Sequence, residues 1–222
     1  MDRNAALELV LTAAPVVPVL TIEDAETAVK LAQSLVKGGL PAIEITLRTA
    51  AALDAVRAVA AEVEGALAGV GTVLDAAQLK QAQAAGAIFA VSPGASPGLL
   101  DAAADSPVPL LPGAATASEA MALRERGYEI LKFFPAGPAG GIAYLKALAA
   151  PLPGIRFCPT GGVSLQNAPD YLKLDNVICV GGSWVAPQDA IASSDWQRIE
   201  DLARQAAGLK PGPETGHVRL QR

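Results

Sequence analysis

The stretch Ala42-Ile43-Glu44-Ile45-Thr46-Leu47-Arg48 decides the fold. Strand side chains alternate between two faces, so Ile43, Ile45 and Leu47 share one side and Ala42, Glu44, Thr46 and Arg48 the other. The greasy side has to meet helices. In a barrel, Glu44, Thr46 and Arg48 then point inward toward the C-terminal mouth, where barrel active sites are built.

The rest of the chain repeats this unit. Short runs rich in Val and Ile alternate with longer Ala-rich amphipathic stretches, the pattern of parallel βα units rather than of hairpins. Strands are expected near residues 16–20, 42–47, 67–70, 88–91, 108–111, 130–134, 155–158 and 177–180, preceded by a helix over residues 3–11. Glu23 and Asp24 open the helix after the first strand, Gly38-Gly39 close it and Pro41 follows. The next helix starts after Thr49, and Asp75, Ser96, Ser118 and Asn167 are placed to cap later ones. Eight such units in 222 residues match a compact (β/α)8 barrel, a TIM barrel with an extra N-terminal helix. The alternative, an open doubly wound sheet, would carry a Gly-rich signature after its first strand, and this chain lacks one. A single barrel domain over residues 1–207 is expected. Residues 208–222, rich in Pro and Gly, are expected to form a flexible tail.

Lys132, in Glu129-Ile130-Leu131-Lys132-Phe133-Phe134-Pro135, is a lone cation in an apolar strand. An ammonium taken out of water without a partner tends to neutralise, and a neutral amine is a nucleophile toward carbonyl carbon. Phe133 and Phe134 would help to exclude water from it. By the strand period Ile130, Lys132 and Phe134 share a face, so Lys132 can meet Glu44 across the barrel interior. The competing reading is an edge strand with Lys132 in solvent.

Composition narrows the chemistry. The chain is 51% hydrophobic and 18% charged, which suits a folded protein with a sizeable core. A net charge of -5 and a pI near 4.9 give no basic footprint for nucleic acid or an anionic membrane surface. No secretory signal or membrane span is visible, and a cytoplasmic protein is expected. Cys158 and Cys179 lack metal or disulfide spacing and read as small buried side chains. The single histidine, His217, falls in the expected tail. Ser-His-Asp and Cys-His systems and most histidine-ligated catalytic metals are thereby excluded, leaving lysine, carboxylates, hydroxyls and backbone.

Two Gly-rich segments follow the last two strands: Pro159-Thr160-Gly161-Gly162-Val163-Ser164 and Gly181-Gly182-Ser183-Trp184. Glycines let backbone N–H groups approach an anion, and the loops after strands seven and eight form a common phosphate site in such barrels. Arg48 can hold a carboxylate by a two-pronged hydrogen bond. Thr72, in Gly69-Val70-Gly71-Thr72-Val73-Leu74, offers a hydroxyl at the end of the third strand, and Pro93, in Val91-Ser92-Pro93-Gly94, ends the fourth.

Taken in order, Glu44-Ile45-Thr46-Leu47-Arg48-Thr49, Gly71-Thr72-Val73-Leu74, Ser92-Pro93-Gly94, Leu131-Lys132-Phe133-Phe134-Pro135, Arg156-Phe157-Cys158-Pro159-Thr160-Gly161-Gly162 and Gly181-Gly182-Ser183-Trp184 closely resemble the 2-keto-3-deoxy-6-phosphogluconate (KDPG) aldolase family, which includes 4-hydroxy-2-oxoglutarate aldolase activity. The resemblance implies a class I aldolase on a (β/α)8 barrel, usually a homotrimer, with no metal or other cofactor and a small 2-keto acid phosphate as substrate. By motif position it implies Lys132 as the Schiff-base lysine and Glu44 as the general acid/base. Arg48 and Thr72 would bind the keto-acid carboxylate end, Pro93 and Phe134 would line the pocket, and Thr160 would contact the substrate. Gly161, Gly162, Gly182 and Ser183 would hold the phosphate. The chain departs from the commoner pattern at Gly137, a position often acidic in the family, which puts the shape of the loop after Pro135 in question. Galactonate-specific relatives look more apolar at the position of Thr160, so its hydroxyl leans toward the gluconate-derived substrate. The alternatives are an aldolase for the galactonate-derived epimer, or a sugar-phosphate isomerase, epimerase or binding barrel without imine chemistry.

Overall fold

The parallel strands close on themselves. In the computed structural model, which describes residues 2–209, α1 (Arg3–Leu11) precedes β1 (Val16–Leu20), α2 (Ala25–Lys37), β2 (Ala42–Thr46), α3 (Ala52–Glu62), β3 (Leu67–Gly71), α4 (Ala76–Ala84), β4 (Phe89–Val91) and α5 (Pro97–Ala104). There follow β5 (Leu110–Leu111), β6 (Gly113–Ala114), α6 (Ala117–Glu125), β7 (Ile130–Phe133), α7 (Gly141–Ala149), β8 (Arg156–Pro159), α8 (Ala168–Leu172), β9 (Val180–Gly182), α9 (Gln188–Ala192) and α10 (Trp196–Ala207).

Parallel ladders run from β9 through β1, β2, β3 and β4 to β5, and from β6 through β7 to β8. β5 and β6 are two halves of one strand position, split at Pro112, which has no N–H to give to a ladder. Its carbonyl still accepts from Lys132 N at 2.9 Å. Bridges between Phe157 and Val177 and between Thr160 and Gly181 join β8 to the β9 segment and complete the ring. The result is the expected (β/α)8 barrel with an N-terminal helix, and among the described residues the ladders close into a ring.

Two apolar layers hold it together. Outside the sheet, Ile43, Ile45 and Val70 pack with Leu31, Leu35, Val56 and Val59 of the helices, all within 1% of complete burial. Inside, Val17, Ala42, Phe89, Val91, Leu111, Ile130, Cys158 and Cys179 fill the lower barrel above Leu7, Val10 and Leu11 of α1. Each such large side chain contributes about 1.5–3 kcal/mol. α1 is fastened at the N-terminal end of the strands. Asn4 Nδ2 donates to Gly127 O at 2.9 Å, Asn4 Oδ1 accepts from Glu129 N at 3.1 Å, and Glu8 pairs with Arg156 at 2.7 Å.

Asp24, Asp75 and Ser96 cap α2, α4 and α5 by accepting from Thr27, Gln78 and Leu99 N. Other expectations are corrected. The cap of α6 is Thr116, not Ser118, because Thr116 and Glu119 satisfy each other's backbone donors in a capping box. The last strand sits later than expected, at Val180–Gly182, because Gly181 and Gly182 pair with Val17 and Pro18. Gly208, expected to begin the tail, is the C-cap of α10. Residues 210–222, including His217, lie outside the described residues, as does Met1.

Candidate active site

β7 lies inside the sheet between β6 and β8, so Lys132 is not an edge lysine. Its register partners are Gly113 on one side and Cys158 on the other. The side chain points inward, only 6% exposed, and Nζ donates to Glu44 Oε1 at 3.1 Å, the carboxylate being 4% exposed. A charged pair this buried is held by its own geometry, since loss of either partner strands the other. Phe134 places its ring centroid 5.3 Å from Nζ. Phe133 faces the other way and stacks on Tyr144 at 5.8 Å, so the expected help from Phe133 does not reach Lys132. The alternation that aims Lys132 inward necessarily aims Phe133 outward.

Beneath the pair, Cys158 and Cys179 are both free and buried. The contact of the two thiols, with burial, pushes the Cys179 thiol well above its ordinary pKa. They fill space, as expected.

On the far side of Phe134 from the pair opens a cavity of about 500 Å3, lined by Arg48, Phe134, Thr160, Gly161, Gly162, Gly182 and Ser183 together with Trp184, Val19 and Thr21; neither Lys132 nor Glu44 is among its described lining residues. Arg48 is the one charged side chain among its described lining residues. It is exposed at the mouth, two residues past the end of β2. The turn that carries it is pinned from below: Thr46 donates to Leu20 O at 2.8 Å and Thr49 donates to Ile22 O at 2.5 Å.

Both Gly-rich segments reach this cavity. Gly161 and Gly162 have φ of 92° and 80°, a conformation open to glycine at no steric cost. Asn167, read from sequence as a helix cap, makes no side-chain hydrogen bond to α8. Instead it accepts from Ser164 N at 2.8 Å and donates to Gly162 O at 2.9 Å, bracing the loop. The loop also meets Gly137, whose N donates to Gly161 O at 2.9 Å. A Cβ on Gly137 would stand 3.5 Å from Gly161 O, an ordinary contact, so this junction has room for a side chain and does not itself require glycine.

Thr72 and Pro93 do not line that cavity. They sit just past the ends of β3 and β4. Thr72 follows Gly71, against which the Glu44 side chain lies, and Pro93 abuts Gly113, the register partner of Lys132. Thr72 has φ of 60°, rare for a β-branched residue. Sequence reasoning missed Asn167 as a loop brace, and nothing but its spacing from Gly162 could have shown it.

A closed parallel barrel with a buried amine and carboxylate in contact beneath an arginine-bearing, glycine-rimmed mouth belongs among lysine-dependent barrel enzymes of carbonyl chemistry. The sequence model of the family described as "Aldolase: KDPG and KHG aldolase" matches residues 7–202. The 2-dehydro-3-deoxy-phosphogluconate aldolase of Pseudoalteromonas atlantica is 51% identical over 203 residues, 91% of this chain and 94% of that protein. A crystal structure of KDPG aldolase from Legionella pneumophila, with pyruvate captured at low pH as a covalent carbinolamine intermediate, superposes with a TM-score of 0.89 at 42% identity, covering 93% of this chain and 98% of that one. The Zymomonas mobilis KDPG aldolase structure with 3-phosphoglycerate gives 0.88 at 45% identity, over 92% and 96% of the two chains. The chain belongs to the KDPG and KHG aldolase family.

Proposed function

We propose that the protein is a class I aldolase that cleaves 2-keto-3-deoxy-6-phosphogluconate to pyruvate and D-glyceraldehyde 3-phosphate, and also accepts 4-hydroxy-2-oxoglutarate, giving pyruvate and glyoxylate. The observation that carries this reading is the Lys132–Glu44 contact of 3.1 Å under the Arg48-bearing mouth. The Legionella relative, with its covalent pyruvate adduct, supports the amine chemistry, and the Zymomonas relative, with 3-phosphoglycerate, supports a phosphate-bearing substrate.

In this reading Glu44 takes the proton from the Lys132 ammonium, and the free amine adds to the C2 carbonyl of the keto acid. The protonated Glu44 gives that proton to the carbinolamine hydroxyl, which leaves as water, and the resulting protonated imine accepts the electron pair of the C3–C4 bond when it breaks. Glu44, through a water, removes the C4 hydroxyl proton as the aldehyde forms, then returns a proton to C3 of the enamine. Water hydrolyses the resulting imine and frees pyruvate. Arg48 and Thr72 hold the carboxylate end, Pro93 and Phe134 flank the reacting carbons and Thr160 meets the substrate. Backbone of Gly161, Gly162 and Gly182, with Ser183, grips the phosphate. No step calls for a metal or another cofactor. Residues 1–207 act as one catalytic domain, and the family resemblance supports a cytoplasmic homotrimer.

The test is borohydride trapping with pyruvate, followed by peptide mapping. A reduced pyruvyl adduct on Lys132, absent in Lys132→Met, is expected. An adduct elsewhere, or none with folded protein, would replace this reading with a phosphate-binding barrel lacking imine chemistry.

A further inference from the structure

Glu44 stands opposite Gly69 in the register of β2 and β3, and Thr46 stands opposite Gly71. The Glu44 side chain does not stay level with Gly69, because the Phe89 ring occupies that place: a Cβ on Gly69 would lie 2.6 Å from Phe89 Cδ1. It runs up onto Gly71 instead. A Cβ on Gly71 would fall 2.6 Å from Glu44 Cγ and 2.7 Å from Cδ, and closer still to Oε1, the oxygen that accepts from Lys132. Thr46, the next inward residue of β2, gives its hydroxyl to Leu20 O rather than to Glu44, so that beside the bond from Lys132 it is shape that steers the carboxylate.

We propose that Gly71 is a positioning residue: the side chain it lacks is the seat that holds the Glu44 carboxylate against Lys132. The role rests on the aldolase reading above, in which Glu44 moves protons. Phe89 closes the position below and Gly71 opens the one above, so the carboxylate has a single place to lie. An added methyl must push Oε1 off its line to Nζ, and displacement of a reacting group by about 1 Å costs on the order of 10²-fold in rate.

The experiment follows exchange of the pyruvate C3 hydrogens with deuterated water, alongside borohydride trapping, in the unmutated protein, Gly71→Ala, Glu44→Asp and the double variant. Gly71→Ala is expected to keep the trapped adduct on Lys132 at long times while C3 exchange slows by about 10²-fold. Glu44→Asp, one methylene shorter, is expected to restore part of the exchange in the Gly71→Ala background, a rescue that a merely structural glycine would not show. Unchanged exchange in folded Gly71→Ala, or losses that simply multiply in the double variant, would overturn the proposal. Should Gly71→Ala not fold, recovery of a cooperative thermal transition on adding Glu44→Asp or Glu44→Ala supports the seat, and no recovery with either overturns it. Absence of both adduct and exchange in the unmutated protein would sink the aldolase reading itself and the seat with it. A normal adduct with exchange indifferent to Gly71 sinks the seat alone.

Discussion

Thr160 rests directly on Gly181 of the neighbouring strand segment, its bridge partner across the parallel sheet. A Cβ on Gly181 would stand 3.0 Å from Thr160 Cγ2 and closer still to Oγ1. Gly181→Ala must therefore drive Thr160 toward the cavity it lines. Such overpacking costs about 1–3 kcal/mol of stability. Steady-state kinetics should show KM for the phosphorylated substrate rising more than kcat falls, with a lower Tm. An unchanged KM and Tm would show that Thr160 has room to turn away.

Thr72 offers the opposite trade. Its left-handed backbone costs about 1–2 kcal/mol for a side chain with a Cβ. Thr72→Gly removes that strain, and the greater freedom of glycine in the unfolded chain offsets about 0.4–1 kcal/mol of the gain. Urea denaturation should show a protein no less stable, and more stable by up to about 1.6 kcal/mol. Pyruvate binding should weaken in the same variant. A clear loss of stability would mean that the hydroxyl does more for the fold than the strain costs.

Glu119 supplies a pH-dependent contribution away from the site. The Ala115 N–H, with the Thr116 hydroxyl and N–H, holds its carboxyl below the ordinary carboxylate range, against a smaller opposing effect of burial. With the folded value lowered, its stabilisation is present above the unfolded pKa and is lost as pH falls through the folded one. Glu119→Ala should lower Tm at neutral pH, and the gap to the unmutated protein should close below about pH 4. A constant gap across that range would assign the effect to packing rather than charge.

The floor helix can be tested separately from the chemistry. Leu7 is fully buried under the barrel interior, and Leu7→Ala should cost about 2–5 kcal/mol. Chemical denaturation reads that loss directly. Activity per folded molecule should stay close to that of the unmutated protein, since Leu7 packs in the lower core and not around Lys132. A collapse of kcat in folded protein would mean that the floor sets the position of the site above it.

The strands at 16–20 and 42–47 were legible because short runs of Val, Ile and Leu between helical stretches can be buried only on the faces of a sheet, outside against helices or inside the barrel. Lys132 and Glu44 were legible as partners because period two fixes which side chains face inward, and a barrel makes inward faces meet. Distances were not legible. Whether Glu44 reaches Lys132 depends on Gly71 and Phe89, residues from two other strands, and composition says nothing about their contact. Asn167 showed the same limit: Asn reads as a cap by frequency, yet here its amide spans Gly162 and Ser164. Pro112 and the late start of β9 escaped because ladder bonds are settled by neighbouring strands rather than by the segment that carries them.

With α1 stoppering the N-terminal end, the barrel formed by the described residues is closed below and opens at its C-terminal mouth. In an aldol cleavage run here, the fragment tethered to Lys132 sits deeper than the fragment set free. The aldehyde must therefore depart through the mouth first, pyruvate can follow only after hydrolysis, and in the reverse direction the queue is inverted. Product inhibition by pyruvate and by the aldehyde phosphate should differ in type accordingly, a kinetic asymmetry fixed by which end of the barrel is shut.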